Sequence, residues 1–179
     1  GLKHSMVSEK WPDFEEIFFG FDPKRVATIP DEDLEALLKE PRIIRHWGKI
    51  KAMRHNATAM VGISAQHGSF GAWIADWPEE DIIGLWDARQ SQFNQLGGAS
   101  GSYFLRMAGK DTFMLTGDGV KALNKWGAFR GEPKGKKARR EVQEAFNVWA
   151  GERGLNRAQM RRILALSINC RPLQGVRYD

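Results

Sequence analysis

At 179 residues the chain is long enough for one domain with its own core, or at most two small ones. Hydrophobic residues at 42% against 27% charged suit a globular protein, and with apolar runs only a few residues long neither a membrane-spanning helix nor a signal peptide is expected. One cysteine, Cys170, excludes an internal disulfide and points to a reducing cytoplasm, while a net charge of +5 suits a polyanionic partner without naming one. The chain opens on Gly1-Leu2 without an initiator methionine, so an upstream segment is expected to be missing.

The periodicity is helical nearly throughout. Phe14, Ile17, Phe18 and Phe21 recur at three- and four-residue spacing. Asp31 is placed to cap a helix over 33–39, with Leu34, Leu37 and Leu38 facing inward. A longer helix is predicted from about Arg42 to Gln66, ending before Gly68, and a short one from Ser69 to Trp77, stopped by Pro78. A helix from Glu79 to about Ser91 leads into the glycine-dense turn Leu96-Gly97-Gly98-Ala99-Ser100-Gly101, followed by an apolar helix over 102–108. A loop over 110–117 carries Phe113-Met114-Leu115, and Asp118 begins the next helix. The segment 130–140 is basic and glycine-punctuated; helices over 141–153 and 156–168 follow, and the tail 170–179 is irregular. Helices joined by short turns make an all-α fold.

The Leu96–Gly101 turn lies between two helices. Without Cβ atoms its backbone N–H groups are open to a phosphate, and the helix that follows adds its positive dipole end. The same glycines also serve a tight connection on steric grounds alone. Asp118, one helix downstream, reads equally as an N-cap for the first amides of its helix.

Two stretches carry a resemblance. The run Lys110-Asp111-Thr112-Phe113-Met114-Leu115-Thr116-Gly117-Asp118 follows the glycine turn as the catalytic segment follows the hairpin in helix-hairpin-helix DNA glycosylases, and Gly98 to Asp118 keeps the family's spacing. Phe21-Asp22-Pro23 through Val26-Ala27, then Ile43-Ile44-Arg45-His46 through Lys49-Ile50, then Asn56-Ala57, resemble the 3-methyladenine DNA glycosylase I family, with order and spacing intact from about Lys10 to Ala57. The resemblance implies an all-α, helix-hairpin-helix glycosylase-like domain over 1–179, N-terminally incomplete, with its hairpin at about 79–109. It implies base excision from damaged double-stranded DNA: hydrolysis of the N-glycosidic bond of an alkylated purine such as 3-methyladenine, by a bacterial, cytoplasmic, nucleoid-associated monomer with no membrane partner. The alternative is a non-catalytic homologue that keeps only the DNA grip.

On this reading Asp118 is the catalytic residue, and Gly97, Gly98, Ser100, Gly101 and Ser102 hold the DNA backbone with Lys136, Lys137 and Arg139 of the basic segment. Arg45, His46 and Lys49 face either phosphate or acidic helix partners. Base-pocket candidates are His4, Trp11, Trp47, Trp86 and Tyr103, with Phe93 beside them. The chain departs from the family at three places. His4 stands where the family's stacking tryptophan would be, and its pocket glutamate would lie upstream of Gly1. Gly101, Ser102 and Tyr103 stand where bifunctional relatives carry a Schiff-base lysine, so no lyase step is expected. The N-terminal zinc ligands of the best-known members are missing and Cys170 alone makes no structural site, so neither zinc nor any cofactor is expected.

Overall fold

The computed structural model describes residues 3–169, and every regular element among them is a helix. The expectation for residues 170–179 lies outside the described residues. Contacts divide the chain into two compact units, residues 3–76 with 88–97 and residues 77–87 with 98–169, and the chain crosses from one to the other inside a helix.

The first unit holds α1 (His4–Ile17), α2 (Pro23–Ala27), α3 (Asp31–Ala36), α4 (Trp47–His67), α5 (Phe70–Ala75) and the second half of α6 (Ile82–Gln92). Its core gathers Phe18, Val26, Ile29, Leu34, Ile43, Ile50 and Ala57, with Phe14, Ile17 and Phe21 packed against them. The three- and four-residue spacing of the phenylalanines thus does place one face of α1 and the turn after it on the core. α2 packs on α4. Its start is fixed by Asp22, whose carboxylate accepts the Lys24 N–H at 2.9 Å, with Pro23 pre-set at the first helical position.

Two helices of this unit begin elsewhere than the periodicity predicts. α3 starts at Asp31 rather than after it: Pro30 occupies the cap position without a side-chain bond, and Asp31, Glu32 and Asp33 set three carboxylates against the positive helix end. α4 starts at Trp47, not near Arg42. Lys10 Nζ takes the carbonyls of Pro41 and Arg42 at 2.9 Å each, and Glu40 accepts the Arg42 N–H at 3.0 Å, so the groups that would have built an earlier turn are used elsewhere. His46 then caps α4, its Nδ1 accepting from the Lys49 N–H at 3.3 Å. The family-like Arg45-His46 pair therefore precedes the helix instead of riding on it.

The second unit holds the first half of α6, α7 (Gly98–Met107), α8 (Gly117–Lys125), α9 (Gly135–Arg153) and α10 (Arg157–Leu166). Phe113 stacks flat on Phe146 with centroids 4.5 Å apart, Trp86 tilts onto Phe113 at 5.1 Å, and Trp149 meets Phe146 edge-on. Buried Gln143 accepts the Ile83 N–H at 2.8 Å, which ties α9 to the start of α6. Asp111 caps α10, accepting from the N–H groups of Arg157 and Ala158 at 2.8 and 2.9 Å and pairing with the buried Arg157 guanidinium at 3.2 Å. Asn156 and Gln159 complete a capping box at the same end.

α7 and α9 both begin earlier than expected, at Gly98 and Gly135. A glycine lowers helix propensity but does not forbid the first turn, where few intrahelical bonds are yet made. The predicted glycine loop is therefore partly helix, and the predicted basic loop is largely the start of α9.

Candidate active site

Asp118 owes its position to what lies beneath it. Thr112, Phe113 and Met114 are buried, and α8 turns Val120, Ala122 and Leu123 inward, so the segment between is held from both sides. The cap of α8 is Thr116, whose Oγ1 accepts the Gly119 N–H at 3.3 Å and a bond from Arg161 Nη2 at 3.0 Å. Gly119 suits this turn, since a Cβ there would lie 3.3 Å from Thr116 Oγ1. Asp118 is the second helical residue, not the cap. Its carboxylate is 71% exposed, with Lys121 Nζ 3.9 Å away. The capping duty that the sequence left open between two roles falls to a neighbour, and Asp118 stands outward at the positive end of a helix.

Thr116, Lys121 and Arg161 were missed as members of this site. Thr116 had a signal, since threonine three residues ahead of a glycine N–H caps as readily as aspartate does, but sequence alone does not choose between two caps two residues apart. Arg161 comes from a helix 45 residues away, and no local pattern announces it.

In the turn between α6 and α7, Gln95 and Gly98 adopt φ of +62° and +54°. Gly97, Gly98 and Ser100 are exposed, as the phosphate reading requires. Gly101 and Ser102 are not: both are buried, and the Ser102 hydroxyl donates to the Ala99 carbonyl at 3.1 Å. These two residues face the interior because α7 begins at Gly98 and turns them inward one turn later. The open surface is the first turn of α7 alone.

Lys136, Lys137 and Arg139 lie in the first two turns of α9. Lys136 pairs with Asp87 at 3.0 Å, Lys137 is exposed and Arg139 half-buried. The base-pocket candidates fall in both units. His4, the first residue of α1, is exposed, as are Trp11 and Trp47 in the same unit. Trp11 lies 5.2 Å from the Phe21 ring. Tyr103 is exposed on α7. Trp86 is enclosed, its indole N–H donating to Thr112 Oγ1 at 3.2 Å and its ring against Phe113, so no face remains for a base. Phe93 is buried against Phe70, their centroids 5.4 Å apart. Among the described residues no group of three His, Cys, Asp or Glu side chains is placed to hold a metal ion.

The family model for methyladenine glycosylase matches residues 1–96, more than half of the chain. The chain belongs to the methyladenine glycosylase family. It is 42% identical over 59 residues to DNA-3-methyladenine glycosylase 1 of Escherichia coli, covering 33% of this chain and 32% of that protein. It is 31% identical over 74 residues to DNA-3-methyladenine glycosylase of Haemophilus influenzae, covering 41% of this chain and 40% of that one. The matched part thus spans well under half the length of these curated relatives. A crystal structure of 3-methyladenine DNA glycosylase I superposes with a TM-score of 0.50 at 27% identity, covering 60% of this chain and 69% of that one. The expected all-α glycosylase-like fold is thereby found. The family match covers residues 1–96 and ends before α7, so Asp118 lies outside it and stands on the geometry of α8.

Proposed function

We propose that this member of the methyladenine glycosylase family excises alkylated purines, 3-methyladenine among them, from double-stranded DNA, acting as a monomer with Asp118 as its catalytic group. The observation that carries the reading is the release of Asp118 from structural duty. Thr116 caps α8, and the carboxylate is left exposed at the helix start.

The chemistry follows from the substrate. A base inside a duplex is out of reach until its nucleotide leaves the stack, so the protein needs a grip on the backbone beside its reacting group. The exposed first turn of α7 offers N–H groups for that grip without reading sequence. A 3-alkylated adenine is cationic and leaves readily; as its bond to C1′ breaks, the pair of electrons goes to the base and the sugar becomes oxocarbenium-like. Asp118 stabilises that cation and accepts a proton from the water whose oxygen bonds to C1′. Aromatic faces suit the cationic base; Trp11 and Trp47 of the first unit and Tyr103 of the second keep exposed rings, and His4 is exposed as well. Gly101, Ser102 and Tyr103 offer no amine to attack the sugar, which supports a monofunctional enzyme.

A second reading has its own support. The family match stops at residue 96, upstream of Asp118, which fits a homologue that grips DNA without excising a base. Release of 3-methyladenine from alkylated duplex, compared between the wild type and Asp118→Asn and accompanied by a binding measurement, separates the two. Release that the substitution abolishes supports excision; binding without release by either protein supports the non-catalytic homologue.

A further inference from the structure

α4 runs for 21 residues and carries Lys49, Lys51, Arg54 and His55 but not one Asp or Glu. An exposed helix face usually intersperses both signs, because like charges four residues apart repel. Lys51 and His55 stand four residues apart on one face of α4. They line a groove of about 550 Å³, walled on its far side by Asn94 and Gln95, with no carboxylate in its lining.

The far wall is built to stay in place. Asn56 binds Asn94 twice, its Nδ2 donating to the Asn94 carbonyl at 3.1 Å and its Oδ1 accepting the Asn94 N–H at 2.8 Å. His55 Nε2 lies 3.0 Å from the Gln92 carbonyl. Gln95 is held at φ +62°, a conformation side-chain-bearing residues rarely adopt, and its Nε2 would lie 3.8 Å from a Cβ at Gly48. Gly48 and Gln95 thus lie side by side in the groove lining. The floor is committed as well. Arg54 gives one nitrogen to the Ile29 carbonyl at 2.8 Å and another to Asp31, so its charge is already neutralised. Lys51 makes no ion pair among the described residues; its Nζ lies 5.8 Å from the Trp47 ring. A lysine without an ion pair, in a groove with no carboxylate in its lining, favours an anion. From Gly48 to Thr58 the groove follows about 15 Å of helix, against about 3.4 Å of duplex axis per nucleotide of a strand, which suits a chain of phosphates better than a single one.

We propose that the α4 groove is a second contact for the phosphodiester backbone of duplex DNA, separate from the first turn of α7, with Lys51 and the Gln95 amide as its donors. The identity of the anion rests on the glycosylase reading; the groove's preference for an anion does not. The test is binding of an undamaged duplex by the full chain across a salt series, read by fluorescence anisotropy. Variants are Lys51→Ala, Lys51→Arg and, as a control for bulk charge, Lys24→Ala, an exposed lysine of the same unit outside the groove. Lys51→Ala is expected to flatten the slope of log affinity against log salt by about one, an affinity loss of about tenfold near 0.1 M salt. Lys51→Arg is expected to restore the slope, and Lys24→Ala to leave it unchanged. An unchanged slope in Lys51→Ala, or an equal change in Lys24→Ala, overturns the groove while leaving the glycosylase reading standing. A wild type that binds no duplex at all overturns both.

Discussion

Thr116 and Asp118 stand two residues apart at the start of α8, and the geometry divides their work. Thr116 satisfies the Gly119 N–H and holds Arg161, whereas the Asp118 carboxylate stands exposed with Lys121 Nζ 3.9 Å away. Thr116→Ala is therefore expected to cost about 1 kcal/mol of stability, the loss of a cap. Asp118→Asn should cost only the dipole interaction of an exposed carboxylate, about 0.3–1 kcal/mol at low salt and less as salt rises. Urea denaturation of the two variants at low and high salt checks this, and an Asp118 loss equal to the Thr116 loss at high salt would return the capping role to Asp118. Arg89 is the opposite kind of residue. It is 2% exposed, its Nε and Nη1 find no hydrogen-bond partner among the described residues, and burial holds its guanidinium below the usual basicity. A buried cation without a partner carries a desolvation penalty that an apolar side chain of similar length removes. Arg89→Met is expected to raise the unfolding midpoint or leave it unchanged; a drop of several degrees would mean that the guanidinium has an attractive role in the folded chain. Nothing in the sequence marks Arg89 as buried, because arginine at a helical position reads first as surface.

Helix positions were legible where one face is apolar and the ends carry their own signals. Ser69 caps α5 and the Asn156–Gln159 box opens α10 close to where the sequence places them. The misplaced starts share a cause: partners distant in sequence. Lys10 takes the carbonyls that would have begun α4 near Arg42, and the cap of α4 passes to His46. At α7 and α9 the glycines suggested loops, yet Gly98, Gly101 and Gly135 sit in first helical turns. That correction changes the meaning of the basic segment. Lys136 and Lys137 now lie at the positive end of α9, where cations are unfavourable, and Asp87 offsets only Lys136. Lys137→Glu is therefore expected to raise stability by about 0.3–1 kcal/mol while weakening DNA binding and flattening its salt dependence. A rise in stability with DNA binding unchanged would remove Lys137 from the backbone contacts.

At the scale of the whole chain, the family resemblance and the proposed chemistry come from different stretches. The residues that carry the family resemblance, Phe21 to Ala57, lie in the first unit and supply its core through Ile43, Ile50 and Ala57. They were legible because several of them pack into one core, which restricts the size and polarity of the side chains that fit. The base-pocket candidates were less legible. Aromatic side chains fill cores as readily as they face ligands, and only burial distinguishes enclosed Trp86 and Phe93 from exposed Trp11, Trp47 and Tyr103. The account turns on Asp118 serving chemistry rather than structure. Its most direct test is the single-turnover release of 3-methyladenine from alkylated duplex by the wild type and by Asp118→Asn, both saturated with DNA and both confirmed folded. The account predicts release by the wild type and a loss of at least about a hundredfold in Asp118→Asn, with binding retained. Equal rates of release by the two proteins would contradict it.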